Sequence, residues 1–303
     1  DLDRQALETS VDDWTFYDHT RPEEVLDRIG DAEIVVSNKV AITADTLAQA
    51  PALRLVCVAA TGTNNVDMEA ARRHGVAVTN VVRYATPAVV QHVFALILAL
   101  STHLPQYQQA VRDGRWSDSR HFCLLDYPIR ELDGLTLGIV GYGELGSHVG
   151  RVAEAFGMDV RIAQLPGRPA GPERTPLQRL LGQVDVLSLH CPLTPETEGL
   201  IGPAELARMR EDALLINTAR GGIVDEPALA AALREGRLGG AGVDVLSPEP
   251  PPADHPLLAP DLPNLMVTPH IAWASTQARQ RMVGELAANI DAFLAGQTRN
   301  RIV

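Results

Sequence analysis

Cysteine is nearly absent from this chain: three in 303 residues, at positions 57, 123 and 191. They are odd in number, far apart, and form no Cys-x-x-Cys pair. That excludes a disulfide framework and suits thiols kept reduced in a cytoplasm. Long apolar runs are missing as well. The longest, "VFALILAL" from Val93 to Leu100, falls well short of the roughly 20 residues that span a bilayer. No signal-peptide pattern is present, so no membrane association is expected. Positive charge is in deficit. A net charge of −12 argues against nucleic acid or an anionic membrane surface as a partner. What remains is 46% apolar and 21% charged residues, the balance of a soluble globular protein long enough for two domains.

Short apolar runs alternate with helical patterns along most of the chain. Strands are predicted at 33–37, 54–60 and 76–80, with helices between them. Thr43 is placed to cap one helix and Gly75 to close another. This βαβαβ order implies a parallel sheet covered by helices. One long helix is predicted from Pro87 to Arg112, then an irregular stretch over 114–134. The alternation resumes with strands at 136–141, 158–163, 185–189, 213–217, 240–245 and 265–268, and a last helix covers 275–295. The Pro-rich "SPEPPPADHP" of 247–256 cannot be helical and reads as an ordered loop.

"TLGIVGYGELGSHVGRVAEAFGMDVRIAQL" runs strand, glycine turn, helix, strand. A lone Gly-x-Gly-x-x-Gly is weak evidence, but this context is the one a dinucleotide-binding turn requires. Gly141 makes the tight turn, Gly143 lets a pyrophosphate approach the backbone, and Gly146 lets helix and strand pack closely. The helix N-terminus then faces the phosphates. An acidic residue is expected at the tip of the second strand to bind the adenosine ribose of NAD. Gln164 stands there instead, with Arg168 four residues on, so NAD(H) and NADP(H) both stay open. The fold expected is α/β, with two Rossmann-like or flavodoxin-like parallel-sheet domains and a cleft between them. Residues 1–92 with 275–303 form one, and residues 93–274 form the dinucleotide domain.

Three polar residues follow three strands of the dinucleotide half: Arg220 in "INTARGG", Glu249 in "GVDVLSPEP" and His270 in "TPHIAW". Each alone has a plain structural reading, Arg220 pairing with Asp225 or Glu226, and His270 a satisfied core imidazole. Together, at the edge where open parallel sheets bind ligands, they suit reduction of a 2-keto acid. Arginine grips a carboxylate through a bidentate fork. Histidine protonates the carbonyl oxygen as hydride arrives, and a glutamate on its other nitrogen fixes the ring. No metal is needed.

The motifs "ATGTNNVD", "GYGELG", "CPLTPET", "INTARGG", "GVDV", "EP" and "TPHIAW", in this order over essentially the whole chain, resemble the D-isomer-specific 2-hydroxyacid dehydrogenases. Among these, "NKV", "GTNNVD" and "HIAWAS" look most like glycerate dehydrogenases, also called hydroxypyruvate reductases. The resemblance implies Arg220 as the substrate-binding cation and Glu249 with His270 as the acid–base pair. It implies substrate contacts from Lys39 and from the backbone of Thr61 and Gly62. Asp244 is implied to hold the nicotinamide amide. Further cofactor contacts are implied at Thr86, Glu144 and Leu145, at Cys191, Pro192 and Thr197, at Thr218 and Ala219, and at Ala272. Relatives dimerise through the region that starts with the long helix, so a homodimer is expected, acting on hydroxypyruvate/D-glycerate or glyoxylate/glycolate. Two alternatives stay open: oxidation of 3-phosphoglycerate, and a non-catalytic dinucleotide-binding regulator of the corepressor type.

Overall fold

The computed structural model describes residues 1–167, 171 and 173–303. They divide into two compact units, Asp1–Ala85 with Ala274–Val303, and Thr86–Trp273. The expected junction at 92/93 lies inside the helix Thr86–Ser101. That helix packs against strands of the second unit, and its buried face includes Val93, Leu96, Ile97 and Leu100.

The first unit holds a parallel sheet in the order β1-β2-β3, with β1 Ile34–Ser37, β2 Leu55–Val58 and β3 Ala77–Thr79. All four residues of β2 are buried, as expected for a strand covered on both faces. The crossover helices are capped by Thr43 and Gly75 as the sequence predicts, and by Asp67, which is not foreseen in the sequence. Thr43 Oγ1 accepts the Thr46 N–H at 3.2 Å, Asp67 Oδ1 accepts the Ala70 N–H at 2.8 Å, and Gly75 takes a left-handed φ of 71°. Val56, Val58, Ile42 and Leu47 centre the core. The last helix, Thr276–Leu294, belongs to this unit and packs on β2.

The second unit carries a seven-stranded parallel sheet among the described residues. Its strands are β4 Thr136–Val140, β5 Asp159–Gln164, β6 Arg174–Pro176, β7 Val186–Leu189, β8 Leu214–Asn217, β9 Gly240–Val243 and β10 Leu265–Val267. Their order is β10-β9-β8-β7-β4-β5-β6. The order reverses between β4 and β7, so the switch point of this doubly wound sheet lies there. Strand β6 is not foreseen in the sequence. It has three residues, sits at the edge, and ends in a proline, which only an edge position tolerates.

The single helix predicted over 87–112 is two helices, Thr86–Ser101 and Leu104–Arg112, at 61° to each other. Pro105 explains the break. A proline ring clashes with the carbonyl four residues before it, here Ser101, the last residue of the first helix. His103 takes a left-handed φ of 50° at the bend, and the freed Ser101 carbonyl accepts the Arg130 N–H at 2.9 Å. No single helix among the described residues is long and apolar enough to cross a membrane.

Candidate active site

The glycine turn follows β4 at the switch point, and each glycine has its own steric reason. Gly141 has φ 97°, and a Cβ there would sit 2.6 Å from the Cys191 nitrogen, so the turns after β4 and β7 touch backbone to backbone. A Cβ on Gly146 would lie 2.2 Å from the Gly141 carbonyl oxygen, which is the close helix–strand packing expected. A Cβ on Gly143 would meet nothing within 4 Å: the space beside it is open, as a pyrophosphate requires. Gly143 caps the helix Glu144–Ala155, whose first N–H groups have no partner within the helix. Glu144 and Leu145 form its first turn, and Thr86 Oγ1 donates to Glu144 Oε1 at 3.5 Å.

On the other side of the switch point, burial pushes the Cys191 thiol up to about 11, so it stays an unreactive thiol. Thr197 Oγ1 donates to the Pro192 carbonyl at 2.6 Å and accepts the Thr194 N–H at 2.8 Å, which fixes this loop. His190, just before it, has a sealed Nδ1 without a hydrogen-bond partner, and burial pushes its imidazole down to about 4. It therefore stays neutral beside the turn. Gln164 ends β5, and its Nε2 donates to the Leu165 carbonyl at 3.1 Å. Arg168 lies outside the described residues.

Strand β8 delivers the arginine. The Asn217 side chain ties the turn, with Oδ1 accepting the Ala219 N–H at 3.1 Å and Nδ2 donating to the Arg220 carbonyl at 2.9 Å. Arg220 Nη1 donates to the Ala219 carbonyl at 2.6 Å. Thr218 Oγ1 is buried without a hydrogen-bond partner, an unspent polar group at the sheet edge where a dinucleotide would lie. The open space at Gly143 and this orphaned hydroxyl both fit NAD(P). The two glycines that follow Arg220 have reasons of their own within the fold. A Cβ on Gly221 would stand 2.1 Å from the Leu246 carbonyl oxygen, so it lets the Arg220 loop meet the loop that bears Glu249. Gly222 holds φ 78°.

The Glu249–His270 pair is formed: His270 Nδ1 and Glu249 Oε2 are 2.7 Å apart, with side chains 25% and 35% exposed. The other carboxylate oxygen accepts the Leu246 N–H at 3.1 Å. His270 has φ 55°, a conformation uncommon for a non-glycine residue. Its N–H donates to the Asp244 carbonyl at 2.8 Å.

Asp244 is only 1% exposed. Its Oδ1 accepts from the Thr268 hydroxyl at 2.5 Å and the Ile271 N–H at 2.9 Å. Its Oδ2 accepts the Ala272 N–H at 2.9 Å. The carboxylate thus pins the residues on both sides of His270 to the end of β9. His92 Nε2 lies 3.0 Å from Thr268 Oγ1. Since that hydroxyl has one hydrogen and gives it to Asp244, His92 is the donor. Neither His92 nor Asn217 stands out in the sequence, because neither belongs to a pattern that names its partner.

The remaining sequence candidates belong to the first unit. Lys39 follows β1, and Thr61 and Gly62 follow β2, all beyond the carboxyl ends of its strands. Thr61 Oγ1 donates to the Val81 carbonyl at 2.9 Å, and Asn80 Nδ2 donates to the Thr61 carbonyl at 2.8 Å. The turn is held while its N–H groups take no part in those bonds.

Residues 94–272 match the family model "D-isomer specific 2-hydroxyacid dehydrogenase, NAD binding domain". A glycerate dehydrogenase of Methylorubrum extorquens is 46% identical, over 99% of this chain and 96% of the relative. A hydroxypyruvate reductase of Blautia hydrogenotrophica is 39% identical, over 99% and 94%. Among solved structures, an acyclic imino acid reductase in complex with NADPH and D-Arg superposes with a TM-score of 0.84 at 30% identity, covering 95% of this chain and 91% of that one.

Proposed function

The chain belongs to the D-isomer specific 2-hydroxyacid dehydrogenases, and from that membership we propose that it interconverts hydroxypyruvate and D-glycerate, with glyoxylate as a second substrate. The observation that carries the reading is the 2.7 Å contact between His270 Nδ1 and Glu249 Oε2, beside the arginine that follows β8. With Nδ1 engaged by a carboxylate, Nε2 is the nitrogen left to carry the transferable proton. Arg220 takes the substrate carboxylate; in the first unit, family membership supports Lys39 and the N–H groups of Thr61 and Gly62 as substrate contacts. His270 gives its proton to the carbonyl oxygen, and in the reverse direction removes it from the hydroxyl. Glu249 keeps the imidazole oriented in both directions. NAD(P)H, when bound, supplies the hydride. The glycine turn and Thr218 receive it, with Thr86, Cys191, Pro192, Thr197, Ala219 and Ala272 around it. Asp244 would hold the nicotinamide amide, and its hydrogen bonds to Thr268, Ile271 and Ala272 fix the His270 loop.

An intact Arg220 and Glu249–His270 pair supports turnover over a binding-only regulator. The similarity to the glycerate dehydrogenase and the hydroxypyruvate reductase supports the unphosphorylated substrate over 3-phosphoglycerate. Gln164, which carries no charge to repel a 2′-phosphate, supports use of NADPH at least comparable to that of NADH. A homodimer is the assembly we propose. Trp116, Phe122 and Leu125 are 51%, 91% and 80% exposed in the segment after the bent helix pair, an apolar surface of the kind that marks an interface.

The test is oxidation of NADH and NADPH with hydroxypyruvate, glyoxylate and phosphohydroxypyruvate in parallel, for the wild type and His270→Ala. The variant should lose about 10²–10⁴-fold in turnover, the usual contribution of a positioned general acid, and still bind dinucleotide. Near-normal turnover in the variant refutes the assignment, and a preference for the phosphorylated acid refutes the substrate.

A further inference from the structure

Glu226 and His255 take no part in the chemistry just described, yet both are buried, 7% and 5% exposed. A carboxylate and an imidazole inside a protein cost stability unless each polar atom is satisfied. Glu226 opens the helix Glu226–Arg234, in the segment that continues from Arg220. His255 closes the Pro-rich loop that carries Glu249. Glu226 Oε2 lies 2.9 Å from His255 Nε2 and accepts the Ser247 N–H at 3.3 Å. His255 Nδ1 accepts the Leu257 N–H at 3.2 Å. A neutral imidazole has one hydrogen, so it sits on Nε2 and is donated to Glu226.

Ser247 and His255 stand on either side of Glu249. One oxygen of Glu226 therefore holds both flanks of the loop. The same loop touches the Arg220 segment again where the Leu246 carbonyl fills the space beside Gly221. Within the loop, the Leu246 N–H holds one Glu249 oxygen while the other meets His270. The geometry points to Glu226–His255 as a positioning pair: it fastens the Glu249 loop to the segment following Arg220, and so keeps the Glu249 carboxylate on His270. This rests on the reading of Glu249 and His270 as the acid–base pair. Neither residue of the pair touches substrate or cofactor.

The pair acts through two accepted hydrogens, which predicts how substitutions rank. Glu226→Leu keeps the volume and removes the oxygen that accepts both hydrogens. Glu226→Gln keeps an oxygen able to accept both. His255→Asn keeps an acceptor for the Leu257 N–H and removes the donor to Glu226, a milder change that leaves the loop otherwise filled. The experiment measures kcat per dinucleotide-binding site, counted by fluorescence titration with whichever of NADH and NADPH the wild type oxidises. KM for hydroxypyruvate and the dinucleotide Kd are measured alongside, with His270→Ala as the reference.

A catalytic group displaced by about 1 Å loses on the order of 10²-fold in rate. Glu226→Leu should therefore lower kcat per site by roughly 10–100-fold and His255→Asn by roughly tenfold, with dinucleotide Kd within about twofold of wild type. Glu226→Gln should recover most of the turnover that Glu226→Leu loses. Wild-type kcat per site in His255→Asn overturns the proposal, whether or not Glu226→Leu folds. So does Glu226→Gln as impaired as Glu226→Leu, because charge and not the two hydrogen bonds would then matter. Loss of dinucleotide binding in His255→Asn overturns it too, by making the pair a general support of the unit. If His270→Ala itself keeps turnover, the acid–base reading fails. If only His270→Ala is impaired, the reading stands and the positioning pair falls.

Discussion

Asp244→Asn is the smallest change that should loosen the His270 loop, and the structure says why an amide cannot replace this carboxylate. Asp244 accepts three hydrogens, those of the Thr268 hydroxyl and the Ile271 N–H on one oxygen and that of the Ala272 N–H on the other. An asparagine has one acceptor oxygen and one NH₂. If the oxygen stays with Thr268 and Ile271, the NH₂ points at the Ala272 N–H, donor against donor. If the amide flips, Thr268 can rotate its hydroxyl to accept, but the Ile271 N–H then faces the NH₂. Either orientation strands one main-chain donor at a site where Asp244 is 1% exposed. An unsatisfied buried donor costs about 1–3 kcal/mol. For a unit of this size that lowers Tm by roughly 3–9 °C. The damage should be local first. Amide hydrogen exchange at Ile271 and Ala272 should accelerate before the rest of the sheet responds, and kcat should fall because His270 lies between the loosened anchors. Unchanged exchange at both amides, together with an unchanged urea midpoint, would refute the hydrogen-bond accounting.

Two further outcomes are expected. Gln164→Asp should move cofactor preference toward NADH by roughly tenfold to a hundredfold in the ratio of kcat/KM values, since one charged contact is worth about 1–3 kcal/mol; parallel NADH and NADPH kinetics check it, and an unchanged ratio means that Gln164 does not face the ribose 2′ position. Light scattering at micromolar concentration should give the mass of two chains, and Phe122→Asp, placing a charge on a side chain that is 91% exposed, should shift it toward one; a wild-type monomer removes the dimer.

The strand-and-helix alternation and the glycine turn were legible because their signals are local and repeated. Buried strands of a parallel sheet are apolar throughout, and a dinucleotide turn needs its glycines at fixed spacing. The break at Ser101 was also written in the sequence, as Pro105, but the strongly apolar run that leads up to it masked it. Strand β6 was not legible: three residues carry no period, and its pairing with β5 is a tertiary fact. The polar anchors were hidden for a different reason. Asp244 reads as part of a strand motif, and nothing nearby names Ile271 and Ala272 as its partners. The purpose of Gly221 depends on Leu246, which reaches it only after the chain has formed another helix and another strand.

These anchors have one physical cause. The loops after β7, β8, β9 and β10 bear the functional groups, so they cannot close their backbone in a helix or a ladder. N–H groups left out of helix and ladder must still find acceptors. Here side chains at strand tips and loop bases provide them: Thr197 for Thr194, Asn217 for Ala219, Glu226 for Ser247, Glu249 for Leu246, and Asp244 for Ile271 and Ala272. Glu249 belongs to both sets, since one oxygen holds its own loop and the other holds His270. That division gives a hierarchy. Residues that only anchor should tolerate any replacement that keeps an acceptor of the same reach, as an amide does at position 226. Asp244 cannot, because its two oxygens serve separate donors. Where a carboxylate spends both oxygens on different loops or different amides, the second oxygen is what an amide loses, and geometry alone then ranks Asp244 above Glu226 in sensitivity to the same chemical change.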